Sequence, residues 1–364
     1  MSPDLLFQIA LTMVPNVGDV HARALVNHFG SAQSIFKARR KDLESLDGMG
    51  IVRAASITNF KDFSLAEKEI EFIEKFKIKP LFVTDTSFPQ RMLNSYDCPV
   101  LLYYKGEADL NAPKAVAIVG TRNNTDYGKN LCEKFIEDLI SLEVLIISGL
   151  AFGIDTIAHK SALKNNLPTV AVLGHGLDII YPPENNQVAR QIFNNGGLLT
   201  EFISRTKPDR QNFPLRNRIV AGISDAVVVV ETGIKGGSLI TAELGAGYNK
   251  DVFAFPGKVN DAKSEGCNFL IKSNKAGLIT SAEDLIQNMG WAPIRKKRKQ
   301  KQLFIELKHD EKVIVDILQK QEQVHIDELY MQSKLSSSKV AAALLMLEME
   351  SVIESLPGKL YRLH

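Results

Sequence analysis

The stretch Arg210-Gln211-Asn212-Phe213-Pro214-Leu215-Arg216-Asn217-Arg218 sets guanidinium and amide groups around one aromatic ring, just ahead of the apolar run Ala226 to Val230. Arginines neutralise phosphates, and a phenylalanine among them can stack on a nucleobase. This composition points to a groove for single-stranded nucleic acid at the rim of a buried sheet, rather than to a metabolite pocket. Arg216 and Arg218 stand two residues apart, an offset that diverges on a helix. One of them is therefore a candidate structural residue, a buried arginine paired with a carboxylate such as Asp225 or Glu231.

Three glycine-bearing segments offer matching chemistry. In Val119-Gly120-Thr121-Arg122 the glycine permits close backbone approach, Thr121 supplies a hydroxyl and Arg122 a fork suited to phosphate. Ser148-Gly149-Leu150-Ala151-Phe152-Gly153-Ile154-Asp155 runs into a predicted helix whose free N–H groups and dipole favour an anion. Gly233-Ile234-Lys235-Gly236-Gly237-Ser238 also opens a helix, with Lys235 beside the backbone donors. Each is weak alone, since such turns also serve packing. The dinucleotide fingerprint GxGxxG is absent after the first strand, and no GxxxxGK[ST] occurs, so nicotinamide and ATP chemistry lack support. Asp155 and His159, four apart on one helix face, admit an acid/base reading. A capping Asp and a packing His explain them as well.

The elements that must position these groups follow from the apolar runs. Ala115 to Val119, Val144 to Ile147, Thr169 to Leu173, Leu198-Leu199, Ala226 to Val230, Val252 to Phe255 and Leu278-Ile279 are continuous, the mark of strands covered on both faces. Helical stretches lie between them, over Asn130 to Ser141, Thr156 to Asn165, Glu184 to Asn194 and Ser238 to Tyr248. The series predicts an α/β, Rossmann-like, doubly wound parallel sheet over residues 111–290, whose loops would converge on one crevice at the strands' carboxyl ends. Ahead of it, residues 1–70 read as a helical, helix-hairpin-helix (SAM-like) domain with tight turns at Val17-Gly18-Asp19-Val20 and Asp47-Gly48-Met49-Gly50-Ile51. Those turns can approach phosphates or simply join packed helices. Residues 71–110 suit an extended lead-in packed on the central domain. Residues 291–308 form a basic linker around Arg295-Lys296-Lys297-Arg298-Lys299-Gln300-Lys301, and residues 309–364 a winged-helix domain. Its third helix carries Ala341-Ala342-Ala343 and acidic Glu348 and Glu350, which suits a partner-binding module better than major-groove reading.

With 364 residues and 45% hydrophobic content the chain is expected to build more than one core. A net charge of +2 leaves nucleic-acid binding to local clustering of basic groups. Cys98, Cys132 and Cys267 are odd in number and lack a CxxC pair, so no disulfide framework and no metal site is expected. No apolar run reaches the length of a membrane span, and the start of the chain has no basic flank before an apolar segment. A soluble cytoplasmic protein is the expectation.

Taken together, Val119-Gly120-Thr121-Arg122, Ser148 to Thr156, Leu173-Gly174-His175-Gly176-Leu177-Asp178 with Tyr181-Pro182, Phe213 to Ile219, and Lys235-Gly236-Gly237-Ser238 closely resemble the DprA (Smf) family of DNA-processing proteins. The resemblance covers nearly all of the central domain, and the flanks look like the family's helical and winged-helix domains. It implies a single-stranded DNA binding protein of natural transformation (competence) and DNA recombination. Such a protein protects incoming DNA, forms a homodimer through the Rossmann-like domain, and loads the RecA recombinase onto strands covered by single-strand binding protein. It implies no enzyme activity, catalytic residue or cofactor. By position Arg122 matches the family's first-strand arginine and Phe213 the aromatic that meets a base. Arg210 stands where the family usually has lysine, keeping the charge with a different contact geometry. The loops around Gly149, Gly153, Gly236 and Gly237 would give backbone donors to successive phosphates. With Gly120, Thr121, Arg216, Asn217, Arg218, Lys235 and Ser238, these residues make up the expected DNA site. The rival from another class is an enzyme similar to the nucleoside-monophosphate phosphoribohydrolases. Their PGGxGTxxE loop is not met here, where Leu239-Ile240 stand in place of Gly and Thr.

Overall fold

The continuous apolar runs belong to strands that are covered on both faces. The computed structural model describes residues 4–291, 308–319, 321, 323–349, 352–356 and 358–363. Up to residue 291 its strands are β1 (Lys79–Phe82), β2 (Leu101–Gly106), β3 (Ala115–Val119), β4 (Leu145–Ser148), β5 (Thr169–Val172), β6 (Gly196–Thr200), β7 (Ala226–Val229), β8 (Asp251–Ala254) and β9 (Gly277–Leu278). They form one sheet in the order β1-β2-β6-β5-β4-β3-β7-β8-β9. From β6 to β9 every pairing is parallel, whereas β1 on β2 and β2 on β6 are antiparallel. The segment read as an extended lead-in thus supplies two strands of the main sheet.

Helices precede and flank the sheet. Six come first: α1 (Leu5–Met13), α2 (Asp19–Phe29), α3 (Ala32–Lys37), α4 (Arg40–Glu44), α5 (Gly50–Thr58) and α6 (Ser64–Phe76). Between and after the strands come α7 (Asp126–Asp138), α8 (Ile154–Lys164), α9 (Asn186–Ile192), α10 (Asn212–Gly222), α11 (Gly237–Gly247), α12 (Glu265–Lys272) and α13 (Ala282–Asn288). Alternate strand residues sort onto two faces. Val116, Ile118 and Val228 meet α7, α8 and α13, whereas Ala117, Val227 and Val229 share a core with α10, α11 and α12. That second core continues into Leu5, Ile9, Leu25, Ile57 and Ile73 of the leading helices. Polar ties reinforce the seam: Ser204 donates both its N–H and its hydroxyl to the Glu69 carboxylate, and Arg23 donates to the Ser95 carbonyl.

From residue 308 a second compact unit has its own core of Ile314, Leu318, Val324, Leu329, Val340, Leu344, Leu347 and Ile353. It comprises α14 (His309–Leu318), β10 (Val324–His325), α15 (Ile326–Ser333), α16 (Ser337–Met349), β11 (Ile353–Leu356) and β12 (Leu360–Leu363), with its strands ordered β10-β12-β11. This is a winged helix. The basic segment Arg295 to Lys301 lies outside the described residues.

Candidate nucleic-acid interface

Leaving β6, the chain returns past β3 to form β7, so the winding reverses at β3. Parallel sheets of this kind bind ligands outside the carboxyl ends near such a reversal. There the loops after β3, β4 and β5, together with α10, enclose a recess lined by Arg122, Gly149, Ala151, Phe152, Tyr181, Pro182, Phe213 and Arg216. Arg122 is exposed, forms no ion pair among the described residues, and sits 5.5 Å from the centroid of the Phe213 ring. The Tyr181 ring lies 5.9 Å from Phe213, inclined by 37°. Arg210, exposed in the loop just before α10, has no hydrogen bond or ion pair among the described residues. Two uncommitted guanidinium groups and a set of rings therefore share one edge of the sheet.

The loop after β4 is built from within. Asp155 accepts the N–H groups of Gly149 and Ala151, which caps the turn and occupies the Gly149 donor. Gly153 has φ +75°, and a Cβ there would fall 2.2 Å from the Thr121 carbonyl oxygen, so only glycine allows the two loops to meet. Ile154 N–H donates to that same carbonyl. The amides of Phe152 and Gly153, at the start of α8, have no partner among the described residues and remain available to an anion. Gly120 is a packing glycine, because a Cβ would sit 2.5 Å from Ile154. The Thr121 hydroxyl accepts from Asn123 N–H.

Asp155 and His159 carry no acid/base arrangement. Burial raises the Asp155 carboxyl, opposed by the nearby Arg216 charge and the donated amides. His159 is wholly buried with Nδ1 2.7 Å from the Thr169 hydroxyl, and burial drives its pKa down to about 3. The imidazole stays neutral as a packing residue between α8 and β5.

The two arginines of α10 diverge as their spacing requires, but their partners differ from those expected. Arg218 points away from the recess: Nη2 bonds Asp19 at 2.8 Å and Glu201, and Nη1 donates to the Asp97 carbonyl. These bonds fit the structural alternative left open for one of the two arginines. Neither Asp225 nor Glu231 pairs with Arg218, since Asp225 binds Arg91 and Glu231 accepts from the N–H and hydroxyl of Thr125. Arg216 is buried at the recess floor and donates to the carbonyls of Gly149 and Val172. Asn217 is half-buried and lines no part of the recess. Lys235, Gly236, Gly237 and Ser238 follow the neighbouring β7 and lie outside it too; the Ser238 hydroxyl donates to Thr232. Phe152 and Tyr181, exposed at 43% and 44%, stood in the quoted motifs but were not among the expected site residues, although for Phe152 a large apolar residue inside a glycine turn was the available signal.

The first hairpin turn borders the sheet domain, with Val17 buried and Gly18 and Val20 exposed. Val17, Gly18 and Asp19 line a cleft with Glu201 and Phe202, and Asp19 is held by Arg218. The second turn is open, with Gly48 and Gly50 exposed and both at positive φ.

A doubly wound sheet with free arginines and rings at its carboxyl edge, flanked by helical-hairpin and winged-helix modules, defines a DNA-binding protein of Rossmann-like fold. The profile of DNA recombination-mediator protein A matches residues 79–290, that of the DprA winged helix domain residues 301–359, and the helix-hairpin-helix motif residues 7–68. The chain belongs to the DNA recombination-mediator protein A family, also called DprA or Smf. It is 38% identical over 295 residues to Protein Smf of Synechocystis, covering 79% of this chain and 73% of that one. Over 214 residues it is 42% identical to the DNA processing protein DprA of Streptococcus pneumoniae, covering 58% of this chain and 75% of the other. The X-ray structure of the pneumococcal protein superposes with a TM-score of 0.63 at 31% identity, over 79% of this chain and 98% of that one. A Helicobacter pylori DNA processing protein A, whose structure is described for its single-stranded DNA binding mode, gives a TM-score of 0.54 at 32% identity, over 59% and 96% of the two chains.

Proposed function

We propose that this chain binds single-stranded DNA along the carboxyl edge of its sheet. In natural transformation it protects incoming strands and loads the RecA recombinase onto DNA covered by single-strand binding protein. The observation that carries the reading is Arg122 poised over the Phe213 ring with no carboxylate partner among the described residues, with an equally uncommitted Arg210 in the loop that leads into the helix of Phe213. Such groups neutralise phosphates and stack bases. The Helicobacter relative supports the choice of single strands. Gly153, the amides beside it, Lys235 and the opening of α11 extend the phosphate path. The protein acts as a homodimer in the cytoplasm, a setting that the three buried free cysteines support. The structural roles of Asp155 and His159 support a non-catalytic binder.

The test is fluorescence anisotropy with labelled single strands and matched duplex at two salt concentrations. Wild type should prefer single strands, with a log–log salt slope of about −0.7 per neutralised phosphate. Arg122→Ala and Arg210→Ala should each weaken binding and flatten that slope, and equal affinity for duplex would remove the reading. Loading is checked by adding the protein to strands covered with single-strand binding protein and timing RecA filament nucleation. An unchanged lag would refute that role.

A further inference from the structure

We propose that Arg216 reads an exocyclic oxygen of a nucleobase at the floor of the aromatic recess, so that the site favours keto bases (thymine, uracil, guanine) over amino bases (adenine, cytosine). The proposal rests on the single-stranded DNA reading above.

Arg216 is only 4% exposed, yet its hydrogen bonding is incomplete. One nitrogen, Nη1, serves both the Gly149 and Val172 carbonyls; Nε is buried without a partner, and Nη2 has none among the described residues. No carboxylate forms an ion pair with it among those residues, and the nearby Asp155 carboxylate is turned to the amides of its own loop. Arg218, on the same helix, has two carboxylates. Buried cations are ordinarily paired and fully hydrogen-bonded. An unfilled guanidinium bordering an open recess therefore indicates an acceptor that arrives with the ligand. Gly149 is part of the seat, because a Cβ there would lie 2.1 Å from Nη1.

The recess selects what that acceptor is. Its walls are the rings of Phe152, Tyr181 and Phe213, which suit a base face, while Arg122 and Arg210 are the exposed groups for phosphates. The entering oxygen thus belongs to a base stacked on those rings. The edge that leads into the recess is the one far from the sugar, at pyrimidine C4 or purine C6: there thymine O4 and guanine O6 are acceptors, whereas adenine N6 and cytosine N4 are donors and would set N–H against N–H, and cytosine O2 lies back beside the glycosidic bond.

The experiment measures binding of the full chain to the hexamers (dT)6, (dU)6, (dC)6 and (dA)6, and to a hexamer of difluorotoluene nucleosides, which keep the shape of thymine but lack its carbonyl acceptors. Full substitution prevents the strand from sliding to a preferred base. Wild type should bind (dT)6 and (dU)6 about tenfold or more tightly than (dC)6 and the isostere hexamer, the size expected of one hydrogen bond to a charged group. Arg216→Lys should level the thymine and isostere affinities, whereas Arg122→Ala should weaken both in proportion. Equal wild-type binding of (dT)6 and the isostere would overturn the proposal, and that comparison decides even where the Lys variant fails to fold. Binding without discrimination removes the base-reading role alone; no binding of any hexamer removes the strand-binding reading as well.

Discussion

Phe213 is held between Arg122 and Tyr181, and Gly174 lies against its edge, where a Cβ would fall 3.1 Å from the ring. The ring is positioned without being buried, which is what a stacking platform needs. Phe213→Ala should cost about 1–3 kcal/mol of single-strand affinity, read by anisotropy, with the circular dichroism spectrum unchanged. An unaltered affinity would make the ring part of the packing only. Glu201 offers a separate test. Burial raises its carboxyl from the ordinary 4.5 to about 7, with Arg218 opposing and Asp19 and Asp97 adding to the rise. The folded chain therefore holds that proton where the unfolded chain releases it. The stabilisation is complete below about pH 4.5 and lost as the pH rises through about 7. Unfolding free energies from urea titrations should show a downward slope of at most about 1.4 kcal/mol per pH unit in that window, absent in Glu201→Gln. At this scale the exposure of Arg122 and Arg210 and the nearness of Arg122 to the Phe213 ring agree with side-chain types that could be read from the sequence. The carboxylate partners of Arg218 were not legible, because Asp19 is 199 positions away, beyond any local spacing.

The glycines of the loops look alike in sequence, but the elements they join give them different duties. At Gly153 both the positive φ and the nearby Thr121 carbonyl exclude a side chain, whereas Gly237, at the start of α11, has nothing within 4 Å of a Cβ. Gly153→Ala should lower the melting temperature and weaken DNA binding together, since α8 must shift. Gly237→Ala should leave stability intact or slightly raised, glycine being costly in a helix. Weaker DNA binding by a normally stable Gly237→Ala would mark that glycine as kept for the ligand; unchanged binding would exclude it from the phosphate path. The parallel strands were readable because cover on both faces leaves continuous apolar runs. The antiparallel β1 and β2 were not, because they are joined through a prolyl-rich, partly irregular segment with no helical crossover to announce them. The segment that became α10 stayed ambiguous for another reason. Arg216, Arg218, Ile219, Val220 and Ala221 are all buried, so polar and apolar positions show no simple helical stripe.

Across the whole molecule, the leading helices and the sheet share one core while the winged helix has its own. A chain ending at residue 291 should fold and retain single-strand affinity within a few-fold, by thermal unfolding and anisotropy. A tenfold loss would place the winged helix in the DNA path. Cutting between α6 and β1 should be far more damaging, because it would uncover an apolar seam and strand Arg218 beside Glu201 without Asp19.

The ion pair between Asp19 and Arg218 also fixes an order in time. A ribosome adding about 5–20 residues per second needs roughly 10–40 seconds to pass from one to the other. Throughout that interval the newborn helical segment presents an unfilled carboxylate and an uncovered apolar face to its surroundings. The N-terminal helices emerge first, but they reach their final setting only when α10, the helix that carries Phe213, has been made. Their closure thus reports that the helix at the carboxyl edge of the sheet has been synthesised.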